Sequence, residues 1–262
     1  MRTSNPALNE DVFSNAARDY GQSRTMTLEG TVIKTGVLLA ILVAGAVYTW
    51  IQTNAMAPSL TAEAVKRATL SVPQNTYMFM IVGMIGGAIA SLITIFVPRV
   101  APYSAPLYAG FEGLALGGIS AMFEYSFPGI AVQAVGLTFG TLAALLLAYS
   151  THVIRATENF KLGVVAATGA ICLVYLASFI LGFFGIAVPM IHQSGPVGIG
   201  FSVVVVIIAA LNLVLDFDFI ENGVRQGAPK YMEWYGGFGL LTTLVWLYLE
   251  VLRLLAKMRD RE

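Results

Sequence analysis

The stretch Ile199-Gly-Phe-Ser-Val-Val-Val-Val-Ile-Ile-Ala-Ala-Leu-Asn-Leu-Val-Leu-Asp-Phe-Asp-Phe-Ile220 decides the class of this protein. A helix needs about 20 mostly apolar residues to cross the hydrocarbon core of a bilayer, and this run supplies them. Six further runs, of 18 to 23 residues, read alike: Thr35–Gln52, Thr76–Val97, Leu107–Phe127, Ile130–Thr151, Leu162–Phe184 and Tyr235–Leu255. The last is aromatic-rich and carries Glu250 and Arg253, so it reads as a helix sheltered by the others. Hydrophobic residues make up 57% of the 262-residue chain and charged residues only 11%. Soluble domains are about a quarter charged. The composition therefore excludes an ordinary soluble enzyme and a disordered regulator. Fifteen Lys+Arg balance fifteen Asp+Glu, so no global field attracts nucleic acid. Cys172 is the only cysteine, which excludes an intrachain disulfide and a thiolate metal cluster. The expectation is an all-α, multi-pass membrane protein with seven transmembrane helices.

Residues 1–34 are polar and lack the apolar core of a secretory signal, so they read as an arm, and 35–262 read as one transmembrane domain. The longest connection, Thr53–Asn75, carries Glu63, Lys66 and Arg67. With the amino terminus inside, the inner segments hold Arg2, Arg18, Arg24, Lys34, Arg99, Arg155, Lys161, Arg225 and Lys230. The outer loops hold Lys66 and Arg67. That asymmetry predicts a cytoplasmic amino terminus. The carboxy tail, with Arg253, Lys257, Arg259 and Arg261, runs against the rule if the last helix crosses.

Acidic groups within spans are the candidates for function, because a charge at mid-bilayer costs at least about 2.5–3.5 kcal/mol on insertion scales. They are Glu112, Glu124, Asp216, Asp218 and Glu250. Residues two apart on a helix point about 200° apart, so only one of Asp216 and Asp218 faces the bundle. Asn212 lies one turn before Asp216 on the same face, which selects Asp216 as the buried group. Asp218 then reads as a solvated carboxylate near the helix end, beside Glu221 and Asn222. Glu250 has two readings: an intrahelical pair with Arg253, or a partner for Asp216. Two carboxylates brought close in a low-dielectric site share a proton, which makes a pH switch. Such a pair also offers oxygen to a hard cation such as Ca²⁺. Glu112 either lines a polar interior or sits near the interface after Pro106; Glu124 reads as solvated. Gly113 with Gly117, and Gly83 with Gly87, are small-xxx-small pairs that permit close helix approach.

Other chemistries lack their residues. His152 and His192 are the only histidines, and no HExxH or Cys/His spacing predicts zinc. Gly200-Phe-Ser202 has no intramembrane histidine to activate the serine. The Gly-x-Gly-Asp of intramembrane aspartyl proteases is absent, as is any phosphate-cradling loop. No cofactor is expected.

Several segments together carry a family resemblance. They are Leu215-Asp-Phe-Asp-Phe-Ile-Glu-Asn-Gly223, Gly227-Ala-Pro-Lys-Tyr-Met-Glu-Trp-Tyr235 and Trp246-Leu-Tyr-Leu-Glu-Val-Leu-Arg-Leu-Leu255. Met1-Arg-Thr-Ser-Asn-Pro-Ala-Leu-Asn9 and Ala101-Pro-Tyr-Ser-Ala-Pro-Leu-Tyr-Ala109, with Glu112-Gly-Leu-Ala-Leu-Gly117, fit the same pattern. The chain resembles the bacterial, YccA-like branch of the Bax inhibitor-1 (transmembrane Bax inhibitor motif) family over nearly its whole length. The resemblance implies two three-helix layers around a central carboxy-terminal helix. It also implies a non-enzymatic, pH-controlled Ca²⁺ leak in a prokaryotic plasma membrane. The implied gate is an acidic pair, here Asp216 on the sixth helix and Glu250 on the seventh; the residues read from the sequence as supporting it are Asn212, Asp218, Arg253 and Glu112. Relatives commonly place Asp where Glu250 stands, and some carry an Arg within helix two; here that helix is uncharged and Arg253 is the substitute. A rival implication is an interaction protein that restrains a membrane protease, with Met1–Lys34 as its handle.

Overall fold

The computed structural model describes residues 25–55, 74–185 and 194–261. Among these the chain is helical: α1 (Leu28–Ala55), α2 (Gln74–Phe96), α3 (Ala101–Ser126), α4 (Ile130–Ser150), α5 (Glu158–Phe183), α6 (Pro196–Arg225) and α7 (Met232–Arg259). A single 3₁₀ turn, Pro98–Val100, leads into α3. The first helix begins seven residues before the apolar run at Thr35, so Lys34 lies within it. The arm before residue 25 and most of the Thr53–Asn75 connection, with Glu63, Lys66 and Arg67, lie outside the described residues.

The helix ends follow local chemistry. Thr157 caps α5, its hydroxyl accepting from the Phe160 amide at 3.3 Å. Pro196 opens α6, where an amide hydrogen would have no intrahelical partner. Gly227 closes α6 with φ +66°. The Gly227 amide donates to Val224 O at 3.0 Å and the Ala228 amide to Gly223 O at 3.1 Å, the bonding pattern of a left-handed helix stop. Glu124, read from the sequence as solvated, is half-buried and has protein partners. Its two carboxylate oxygens accept the amides of Gly129 and Ala131 and cap the start of α4, where unsatisfied amides favour an anion.

Among the described residues six helices are long and apolar enough to cross a membrane; α3 is not among them. The sequence had singled out the last helix as the poor lipid-facing one. In the structure α7 qualifies, and 61% of its most apolar window is buried, against 11–39% in the other five. The shelter expected for it is real. In α3 the apolarity is diluted by Pro102, Ser104, Pro106, Glu112, Glu124 and several glycines, residues suited to a helix enclosed by neighbours.

The chain packs as two compact units. One contains Glu29–Ala131 and Tyr231–Leu241, hence α1 to α3 and the first turns of α7. Its glycines set helix spacing. A Cβ at Gly113 would stand 2.2 Å from Leu42 O, and one at Gly117 would stand 2.4 Å from Ala46 O, so α1 and α3 touch backbone to backbone. A Cβ at Gly83 would lie 2.6 Å from Phe111 O, so α2 approaches α3 as closely. Tyr108 meets Phe238 edge to face at 4.9 Å in the core of this unit. The other unit contains Val132–Lys230 and the chain from Thr242 onward, hence α4 to α6 and the rest of α7. Its core includes Val205, Ala209, Leu213, Leu247 and Leu252.

Candidate functional site

Every helix of the second of these units brings polar side chains inward. Asp216 on α6 is 1% exposed, and Glu250 on α7 is 2% exposed. Asn212, one turn before Asp216, donates to Thr168 Oγ1 at 2.9 Å and to Ile208 O at 2.8 Å. This ties α6 to α5 beside the Asp216 position.

The Glu250 carboxylate is gripped by two groups. Arg253 Nη1 donates to its two oxygens at 2.8 and 2.9 Å. The Tyr175 hydroxyl lies 3.0 and 3.1 Å from the same oxygens. Arg253 Nη1 also donates to that hydroxyl at 2.8 Å, and the guanidinium stands 5.4 Å from the ring centroid. Tyr175 therefore accepts from the cation and passes its own hydrogen to the anion. Of the two sequence readings for Glu250, the pair with Arg253 is the one formed here. Asp216 and Glu250 belong to the same unit, yet the hydrogen bonds of Glu250 among the described residues go to Tyr175 and Arg253. Tyr175, on α5, was not legible as a partner, since it lies 75 residues from Glu250.

Asp218 departs from the solvated reading. Lys161 Nζ lies 2.8 Å from its carboxylate, and Asn222 Nδ2 donates to it at 3.0 Å. The Asp218 side chain is 21% exposed and that of Lys161 only 8%. Burial of the lysine stem along α5 brings the ammonium to the acid. Lys161 also reaches Glu158 at 3.3 Å. Nearby, the Tyr149 hydroxyl donates to Glu221 at 2.6 Å, and Arg225 pairs with the same carboxylate.

Lys257 is a second residue the sequence reading missed. It had been counted with the tail, but it lies on α7 and is 6% exposed. Its ammonium donates to Ser202 Oγ at 2.8 Å and to Gly198 O at 3.1 Å, joining α7 to the start of α6.

In the other unit, Glu112 lays its carboxylate on Gly87, 3.0 Å from where a Cβ would stand. This places Glu112 at the α2–α3 contact. Glu233, also missed, is 0% exposed at the start of α7, and Lys34 lies 3.7 Å from it and 5.5 Å over the Trp234 ring. Among the described residues no group of three or more His, Cys, Asp or Glu could hold a metal ion. His192 lies outside them.

A family model described as Bax inhibitor 1 like matches residues 5–260. The chain belongs to the Bax inhibitor 1-like family. No curated protein and no solved structure matches it. As a family member it is a multi-pass membrane protein.

Proposed function

We propose that this protein is a pH-responsive cation leak, passing Ca²⁺ across a prokaryotic plasma membrane, with Asp216 and Glu250 as its gating carboxylates. The observation that supports this most is the burial of two acids in helices of membrane-spanning length, Asp216 at 1% and Glu250 at 2% exposed. Intramembrane acids are expensive to bury, and they commonly mark ion or proton pathways.

The gate has two arrangements. In one, Arg253 and Tyr175 hold an ionised Glu250, as described above. In the other, Glu250 leaves the latch and meets Asp216. That meeting requires a proton, because two ionised carboxylates in a low-dielectric site repel. Acid therefore favours the carboxyl–carboxylate pair, and its deprotonation favours the Arg253 latch. Asn212 fixes the α6 backbone beside Asp216. During passage the two acids offer Ca²⁺ a transient oxygen contact, far short of the 6–8 ligands of a resident site. Asp218 supports α6 through Lys161, and Glu112 lies in the other unit.

The ranking of the two aspartates tests this assignment. In liposomes, Asp216→Asn should abolish the pH dependence of Ca²⁺ flux while Asp218→Asn keeps it. The reverse order would move the gate to Asp218 and its Lys161 partner. The rival reading is an interaction protein that restrains a membrane protease through Met1–Lys34. It predicts no flux from the pure protein.

The orientation we propose is amino terminus inside and carboxy terminus outside, from the Lys/Arg asymmetry and seven crossings, α3 included. Cysteine tags at Ser4 and Arg259 should react with an impermeant reagent from opposite sides. Labelling of both from one side would remove a crossing, and α3 would be the first to reconsider.

A further inference from the structure

A groove of about 460 Å³ runs along the last turns of α5, lined among the described residues by Tyr175, Ser178, Phe179, Gly182 and Phe183. Phe179 is 65% exposed and Phe183 is 76% exposed, so the groove faces the surrounding hydrocarbon. Its polar end is Tyr175, the residue that Arg253 covers. Among the described residues every hydrogen bond of Arg253 comes from Nη1. Among the described residues Nη2 and Nε have no hydrogen-bond partner, and the side chain is 42% exposed. One turn further along α7 stands Lys257, whose ammonium is held by the neutral oxygens of Ser202 and Gly198.

We propose that this groove binds an anionic glycerophospholipid of the bilayer, its phosphate on Arg253 and one acyl chain along Phe179, Gly182 and Phe183. A guanidinium with two free donors matches a phosphate diester bidentately. Arg253 lies six residues before the end of α7 at Arg259. That is about 9 Å of helix, and a long side chain spans much of that toward the headgroup layer. Basic groups between transmembrane helices are a recurring way to hold anionic headgroups. The missing side chain at Gly182 leaves room for the chain, since a Cβ there would meet nothing within 4 Å. A water-soluble phosphate would satisfy Arg253 but leave the apolar part of the groove empty, so the lipid is the better fit. The site shares Arg253 with the proposed gate, but lipid retention is read without ion passage, so a failure of Ca²⁺ flux does not bear on it.

The test is native mass spectrometry of the purified full chain with phosphatidylglycerol and phosphatidylcholine. Wild type should retain phosphatidylglycerol over phosphatidylcholine by about tenfold, the scale of a charge-assisted hydrogen bond. Arg253→Gln should lose that preference. Because this change also unlatches Glu250, Gly182→Leu is the second variant: its Cβ meets nothing within 4 Å, its side chain occupies the groove, and Arg253 and Glu250 are unchanged. It should weaken phosphatidylglycerol binding by a similar factor. Equal retention of both lipids by wild type, or undiminished phosphatidylglycerol binding in Gly182→Leu, would overturn the proposal. Displacement of the lipid by glycerol phosphate as effectively as by phosphatidylglycerol would also overturn it, because the groove would then contribute nothing.

Discussion

Arg253→Met should be among the most destabilising single changes in the unit that holds Glu250. It leaves a carboxylate that is 2% exposed with the Tyr175 hydroxyl as its remaining hydrogen-bond partner among the described residues. Breaking a buried pair by removing one partner costs about 3–5 kcal/mol. The Arg253 side chain is 42% exposed, so the loss should fall toward the lower end of that range. The double change Arg253→Met with Glu250→Gln removes the stranded charge and should recover most of the stability. Tyr175→Phe should cost less, about 1–3 kcal/mol, because the cation remains. Thermal melting in detergent reads all of these. A double variant no more stable than Arg253→Met alone would show that the latch is not what Arg253 contributes.

Gly113→Ala should damage the other unit by a different route. The added carbon would stand 2.2 Å from Leu42 O, and backbone cannot swing aside as a flexible side chain does. Helix α1 must move off α3, which also disturbs the Gly117 contact with Ala46 one turn on. Overpacking of this kind costs about 1–3 kcal/mol, and a backbone contact belongs at the top of that range or above it. Alanine's better helix propensity returns at most about 1 kcal/mol. Gly140→Ala is the control, since its Cβ would meet nothing within 4 Å. It should leave the melting temperature unchanged or raise it. Equal effects of the two changes would mean that α1 and α3 are not in backbone contact.

What was legible in the sequence was what local pattern can carry. Apolar length revealed the helices, and the spacing of Gly113 with Gly117 and Gly83 with Gly87 revealed the tight contacts. The aromatic, charged character of the last run revealed a sheltered α7. Helical geometry alone chose Asp216 over Asp218 as the deeply buried acid, and their exposures follow that order. Partnerships across long separations were not legible. Nothing near Tyr175 in the chain marks it as the donor to Glu250, and nothing near Asp218 names Lys161. Lys257 was hidden by its neighbours, because a lysine among Arg253, Arg259 and Arg261 looks like a tail charge until a facing helix offers Ser202. Glu233 was hidden in a motif that reads as a connection, although α7 has already begun there. The weak apolarity of α3 was masked by its length. Glycine and alanine carry an apolar run without making it lipid-facing.

Ca²⁺ entry into liposomes that contain only this protein, measured at several pH values for wild type and Asp216→Asn, tests the proposed leak most directly. Flux from the wild type should change with pH, and flux from the variant should not. No flux from the wild type at any pH, with the protein shown to be folded and inserted, would contradict the leak and leave the interaction protein as the better reading.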